Sequence, residues 1–74
     1  MKLPLLSARE VCKFLEQEGF EVVRQKGSHC FYRHPDGRTT TIPIHSSKDI
    51  GRGLLKAILD EINLSREDFF RRFR

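Results

Sequence analysis

The chain contains no tryptophan, one methionine, one tyrosine and only two cysteines in 74 residues. Cys12 and Cys30 fall in an expected helix and an expected strand, without the spacing of a known motif. They read as small buried apolar residues of a protein kept in a reducing, cytoplasmic compartment. Long apolar runs are also missing. Nothing approaches about 18 consecutive apolar residues, which excludes a membrane-spanning helix. The opening Met1-Lys2-Leu3-Pro4-Leu5-Leu6 is too short a run for a signal peptide before Arg9 and Glu10 end it. The three histidines, His29, His34 and His45, have no cysteine or acidic side chain at a recognisable ligand spacing. No metal and no cofactor is therefore expected. Length itself is scarce: the chain reads as one domain over 1–74, and a chain of this size buries only about 60% of its unfolded surface. A deep cleft is excluded, and a shallow site on a sheet or loop is the expectation.

What the sequence does have is unevenly placed positive charge. The net charge is +4. Residues 1–23 set Lys2, Arg9 and Lys13 against Glu10, Glu16, Glu18 and Glu21, a slight acidic excess. Residues 24–56 set Arg24, Lys26, Arg33, Arg38, Lys48, Arg52 and Lys56 against Asp36 and Asp49 alone, and they hold all three histidines. The last block is balanced. Such a concentration points to a polyanionic partner.

The signals for secondary structure are local and clear. Ser7-Ala8-Arg9-Glu10 forms a capping box, with Leu6 and Val11 at the staple positions. Val11, Phe14 and Leu15 make an apolar stripe and Gly19 a left-handed stop, which predicts a helix over 8–18. The stretches 20–25, 29–34 and 38–44 read as strands. They are joined by a turn at Lys26-Gly27-Ser28 and by a hairpin turn at Pro35-Asp36-Gly37. Pro43 cannot donate a ladder bond and marks a strand edge or exit. A second helix starts near Gly51 or Arg52 with Leu55, Ile58, Leu59 and Ile62 on its buried stripe, and Asn63 ends it. Leu64-Ser65-Arg66-Glu67-Asp68-Phe69 repeats the start signal for a short third helix anchored by Phe69, Phe70 and Phe73. The order is α-β-β-β-α-α. A three-stranded antiparallel sheet with helices on one face is the economical α+β packing. Phe31 is expected to point inward, leaving Tyr32 and His34 toward the open face.

One segment brings these features together. Lys26-Gly27-Ser28-His29 sets an imidazole at a glycine turn, at the mouth of a strand, inside the most basic stretch. Free imidazole titrates near 6.5 and can take or give a proton near neutrality, while lysines and arginines attract phosphates. RNA carries its own nucleophile, the 2′-OH. A protein that deprotonates it and stabilises charge on phosphorus has supplied the chemistry. By residue type and setting, His29 is either a turn-flanking histidine that satisfies a hydrogen bond or the group for proton transfer. Arg24 and Lys26 are candidates for the phosphate, with the Gly27 and Ser28 amides as further donors. Lys48, Arg52 and Lys56 cluster around the start of the second helix, where a helix N-terminus already favours anions, and His45 follows Pro43-Ile44 within reach of phosphate. They are candidate RNA contacts. His34 is expected to pack or hydrogen-bond beside the hairpin turn.

The stretch from Gly19 to Phe69 resembles the HicA-type toxins. The resemblance rests on Gly19-Phe20, Arg24, Gly27-Ser28-His29 and His34-Pro35-Asp36-Gly37-Arg38. It continues through Pro43 and His45, Gly53-Leu54 with Ile58-Leu59, and Leu64-Ser65 before Phe69. It implies a fold like a double-stranded-RNA-binding domain, cleavage of mRNA independently of the ribosome, and inhibition by a HicB-type antitoxin. The family's catalytic histidine falls on His29. Cys30 stands where many members carry a second histidine, and Leu54 where many carry a threonine. The expected protein is a metal-independent endoribonuclease toxin, monomeric when free and hetero-oligomeric with its antitoxin, with mRNA as substrate and no membrane association. A non-catalytic RNA-binding module using the same basic surface is the alternative, since fold alone does not establish chemistry.

Overall fold

The computed structural model describes residues 2–44 and 49–73. His45 and Lys48, two of the candidate contacts, lie outside the described residues. In chain order the elements are β1 (Leu6–Ser7), α1 (Ala8–Gln17), β2 (Glu21–Lys26), β3 (His29–Arg33), β4 (Thr39–Pro43), β5 (Asp49–Ile50), α2 (Arg52–Glu61) and α3 (Arg66–Arg72). The main sheet is antiparallel in the order β2-β3-β4, with the helices packed against one face. This is the expected α-β-β-β-α-α arrangement. β1 and β5 add a short antiparallel pair, Leu6 opposite Ile50, that the sequence did not announce. Both Leu6 and Ile50 are buried, so the pair fastens the entrance of α1 to the entrance of α2.

The helix boundaries follow from their caps. The Ser7 Oγ accepts the Glu10 N–H at 3.1 Å, and the Glu10 carboxylate accepts the Ser7 N–H at 2.9 Å, completing the capping box. Gly19 then takes φ +96°, and the Phe20 N–H closes back on the Leu15 carbonyl at 2.9 Å. Asn63, at φ 57°, ends α2 in the same left-handed region. At α3 the Ser65 Oγ accepts the Asp68 N–H at 3.0 Å.

The core lies between the helices and the inner face of the sheet. Val11, Phe14 and Leu15 of α1 meet Leu55, Ile58 and Leu59 of α2, and the sheet contributes Cys30, Tyr32 and Ile42. α3 is held by aromatic packing. Phe69 lies edge-on to Phe14 at 5.2 Å between centroids and stacks on Phe73 at the same distance. Phe70 and Phe73 are half-buried against this cluster.

Two expectations about side-chain direction are overturned. Tyr32, not Phe31, points inward: Tyr32 is 3% exposed, while Phe31 is half-buried on the other face. The reason is the period of two along a strand. Turning Phe31 inward would carry His29 and Arg33 into the core with it, whereas Tyr32 shares its face with Cys30. The Tyr32 hydroxyl donates to Glu16 Oε2 at 3.4 Å, so its polar tip is not stranded. Burial pushes the Tyr32 phenol and the Cys12 thiol above their ordinary values, which keeps both neutral.

His34 is not on the open face either. It packs edge-on against Phe20 at 5.0 Å, with Nε2 3.1 Å from the Glu18 carbonyl oxygen and Nδ1 accepting the Asp36 N–H at 3.1 Å. Arg38 completes this corner. Its guanidinium lies over Phe20 at 5.1 Å and donates to Asp36 and to the Ile62 carbonyl. The His34-to-Arg38 run thus ties the β3–β4 hairpin to the ends of α1 and α2.

Truncating Phe69 to alanine should cost about 3–5 kcal/mol, because a large ring is removed from a closed aromatic cluster. Urea unfolding measures it, and a loss below about 1 kcal/mol would mean that α3 is not part of the cooperative core. The hairpin makes a pH prediction. The Arg38 backbone amide, together with its guanidinium, holds the Asp36 carboxyl below its ordinary value. A lowered folded-state value stabilises the fold above the unfolded pKa, and that stabilisation is lost as pH falls through the folded one. The melting temperature should therefore drop below about pH 4, and Asp36→Asn should make that drop shallower. Parallel curves for the two proteins would remove Asp36 from the account.

Candidate active site

The site is built on the β2–β3 hairpin. Gly27 and Ser28 form its two-residue turn, and Lys26 pairs with His29 across it. Gly27 has φ +59°, and no non-glycine residue of the turn is in the left-handed region. Glycine first in a two-residue loop is the pattern that matches strand twist with positive φ at that position. A second constraint fixes the turn from the other side: the Ile44 N–H donates to the Ser28 carbonyl at 2.5 Å, extending the β3–β4 ladder to the mouth of the hairpin.

His29 is the first residue of β3, exposed, with Lys26 on one side and Pro43 on the other. Among the described residues its ring has no hydrogen-bond partner, which leaves both nitrogens open to a ligand. Phe31 and Arg33 follow on the same face, with Arg24 opposite Phe31 and Glu21 opposite Arg33. The register shifts between Val22 and Arg24, so Val23 is a bulged residue, 61% exposed. The Arg24 guanidinium lies over the Phe31 ring at 4.9 Å, a contact worth about 0.5–1 kcal/mol at an exposed site. The open face therefore gathers an imidazole, three cationic side chains and one aromatic ring. Glu21 is the acidic residue of this face, and it sits at the end away from His29.

The other candidates do not join this group. Arg52 and Lys56 belong to the helical layer, where they line a shallow groove with Lys2, Leu3, Gly53 and Arg66. Neither is idle there. Arg52 Nε donates to the Leu3 carbonyl at 2.6 Å, holding the N-terminal segment on α2, and Lys56 Nζ pairs with Asp60 at 2.7 Å. Gly51 caps α2 without a side-chain bond, and no acidic residue occupies the first turn of the helix. No group of three or more His, Cys, Asp or Glu side chains converges among the described residues. The sequence reading left Phe31 and Arg33 out of the site. The signal that places them is their spacing of two and four residues from His29 on one strand.

The family model for the HicA toxin of bacterial toxin-antitoxin matches residues 8–64. This chain belongs to the HicA toxin family. A protein of Pseudomonas fluorescens (strain Pf0-1) named "Probable mRNA interferase HicA" is 36% identical over 55 residues, 74% of this chain and 90% of the relative. The matched stretch contains the His29 hairpin, the whole sheet and α2. It stops before α3, whose Phe69 nevertheless completes the core of this HicA-family chain.

The turn can be tested apart from any activity. A Cβ on Gly27 would meet nothing within 4 Å, so its substitution is penalised by φ alone. Gly27→Ala should cost about 1–2 kcal/mol, and Gly27→Asn clearly less, because asparagine tolerates left-handed backbone. Urea unfolding of the pair decides it. Equal losses would show that the turn does not depend on positive φ.

Proposed function

We propose that this HicA-family toxin is a metal-independent endoribonuclease that cleaves mRNA, with His29 as the group that moves the proton. The observation that supports this most directly is the exposed His29 imidazole at the Gly27 turn, beside Lys26 and on a face otherwise rich in positive charge. Family membership supplies the toxin context, and the relative's name supplies RNA cleavage as the activity to test.

The reaction needs little machinery. An imidazole nitrogen of His29 takes the proton of the 2′-OH, and the resulting oxygen attacks the adjacent phosphorus. The bond from phosphorus to the 5′-oxygen breaks, and that oxygen takes a proton from the imidazolium or from water. The products are a 2′,3′-cyclic phosphate and a free 5′-hydroxyl. Lys26 and Arg24 hold the phosphate and offset the charge that builds on its oxygens, with the Gly27 and Ser28 amides as added donors. Arg52 contacts RNA along the helical layer, and Lys56 does so on leaving Asp60. His45 and Lys48 keep this role from the sequence pattern. A HicB-type antitoxin, binding in a hetero-oligomer with the otherwise monomeric toxin, covers the His29 face.

Expression of the chain should arrest growth and deplete mRNA, and His29→Ala should abolish both while keeping the melting temperature, because this side chain is exposed and lies outside the core cluster. Equal toxicity of the alanine variant would refute the assignment. Purified protein should still cut RNA in excess EDTA. Loss on chelation, restored by one divalent ion, would refute metal independence. RNA bound tightly by the wild type yet never cut would make the chain a binding module. Neutralising Lys26 should weaken binding of every single-stranded RNA and lower the salt slope by about 0.7. Titration of a fluorescent RNA at several salt concentrations reads this, and an unchanged slope would remove Lys26 from the phosphate site.

A further inference from the structure

The proton-transfer chemistry uses His29 and the bases around it but not the aromatic ring in their midst. Phe31 stands two residues along β3 from His29 on the same face, about 6.8 Å away at the rise of a strand. That separation is comparable to one nucleotide step. The fold does not need the ring there. The core takes Cys30 and Tyr32 from this strand, and Phe31 is absent from the core cluster. The helices cover only the opposite face of the sheet, so nothing in the described chain buries it further.

We propose that the shallow groove lined by Val23, Arg24, Phe31, Thr39 and Thr41 receives one unpaired RNA base, stacked on Phe31. Single-stranded RNA is then the substrate form. This rests on the reading of the chain as an RNA-cleaving enzyme. Every base presents a π-face, and aromatic side chains on a sheet surface hold unstacked bases in this way. The β2 bulge sets Val23 beside the ring as an apolar wall. Thr39 and Thr41, opposite Arg33 and Phe31, offer hydroxyls that both donate and accept, suited to a base edge. Arg24 covers the ring in the free chain. Its guanidinium is exposed and swings off readily, freeing the ring for the base and turning its charge to the neighbouring phosphate. A paired base inside an A-form duplex cannot reach Phe31. The positive charge of Arg24, Lys26 and Arg33 on the same face matches a nucleic acid rather than an apolar protein surface.

The test uses the full chain carrying His29→Ala, so that RNA stays intact, with Phe31→Leu and Phe31→Tyr added singly. Leucine keeps apolar bulk without a ring face, and tyrosine keeps the face. Fluorescein-labelled single-stranded RNA and its fully paired duplex are titrated with each protein, after melting curves confirm the fold. Phe31→Leu should weaken single-strand binding about 5- to 150-fold, leave duplex binding and the salt slope unchanged, and be rescued by Phe31→Tyr. Single-strand affinity unchanged in Phe31→Leu overturns the proposal, as does an equal loss for strand and duplex. If Phe31→Leu loses affinity only for the antitoxin protein, the face is a protein interface and the proposal also falls. A parent chain that binds no RNA overturns both this proposal and the RNA-cleaving reading. Intact cleavage by wild-type protein and by its Phe31→Leu variant alike overturns this one alone.

Discussion

Burial of Cys30 and Tyr32 beneath the helices decides what the rest of the sheet can present. A strand gives alternate residues to alternate faces, so this choice sends His29, Phe31 and Arg33 to the open side together. Register then passes it to the neighbours. Ile42 pairs with Cys30 and Thr40 with Tyr32, so they turn inward, while Thr39, Thr41 and Pro43 turn outward. On β2, Lys26 and Arg24 come to lie opposite His29 and Phe31. A slip of one residue would put an imidazole and a guanidinium into the core and a phenol and a thiol outside. Thr40 could follow Tyr32 inward because its hydroxyl donates to Glu61 Oε1 at 2.7 Å. The fold and the candidate site are thus one solution to one packing problem.

The basic block divides its labour in a way that net charge does not show. Arg38 is spent on Asp36, Phe20 and the Ile62 carbonyl, while Arg52 gives its Nε, though not its two terminal nitrogens, to the Leu3 carbonyl. Both hold elements together. Lys56 faces Asp60 on its own helix, a pair that exposed geometry makes weak and easily opened. Arg24, Lys26 and Arg33 remain for the open face, where the flat sheet leaves them in solvent. A small domain cannot surround a substrate, and this one does not have to. Under the mechanism proposed above, in which the nucleophile belongs to RNA, a single imidazole beside cationic side chains is sufficient equipment, and a shallow face accommodates it.

Placement of that imidazole depends on backbone more than on packing. Gly27 gives the turn a conformation that a side chain would strain, and the bond from Ile44 to Ser28 stops the hairpin mouth from opening. His29 is consequently held at its Cα while its ring is free to meet a ligand. An open ring and a positioned Cα are compatible because the constraints act through main-chain atoms.

Much of this was legible in the amino-acid sequence because it is encoded locally. The Ser7 capping box, the Gly19 stop, the Asn63 end of α2, the Ser65 start of α3 and the turns at Gly27 and Pro35-Asp36-Gly37 each involve residues a few positions apart, and each stands where its pattern put it. The Gly27-Ser28-His29 turn was legible for the same reason. What the sequence left open depends on partners far along the chain. Phe31 and Tyr32 are adjacent aromatic residues of opposite faces, and only the helices decide which is covered. His34 was legible as a packing or hydrogen-bonding residue, but its partners, Phe20 and the Glu18 carbonyl, were not, and Arg38 and Arg52 looked like free charge until distant carbonyls engaged them. The short β1–β5 pair joins segments more than forty residues apart and left no local signal. Capping and turn chemistry are fixed by near neighbours, so sequence alone determines them. Side-chain direction and the availability of a charge are fixed by what packs opposite, which only the tertiary structure supplies.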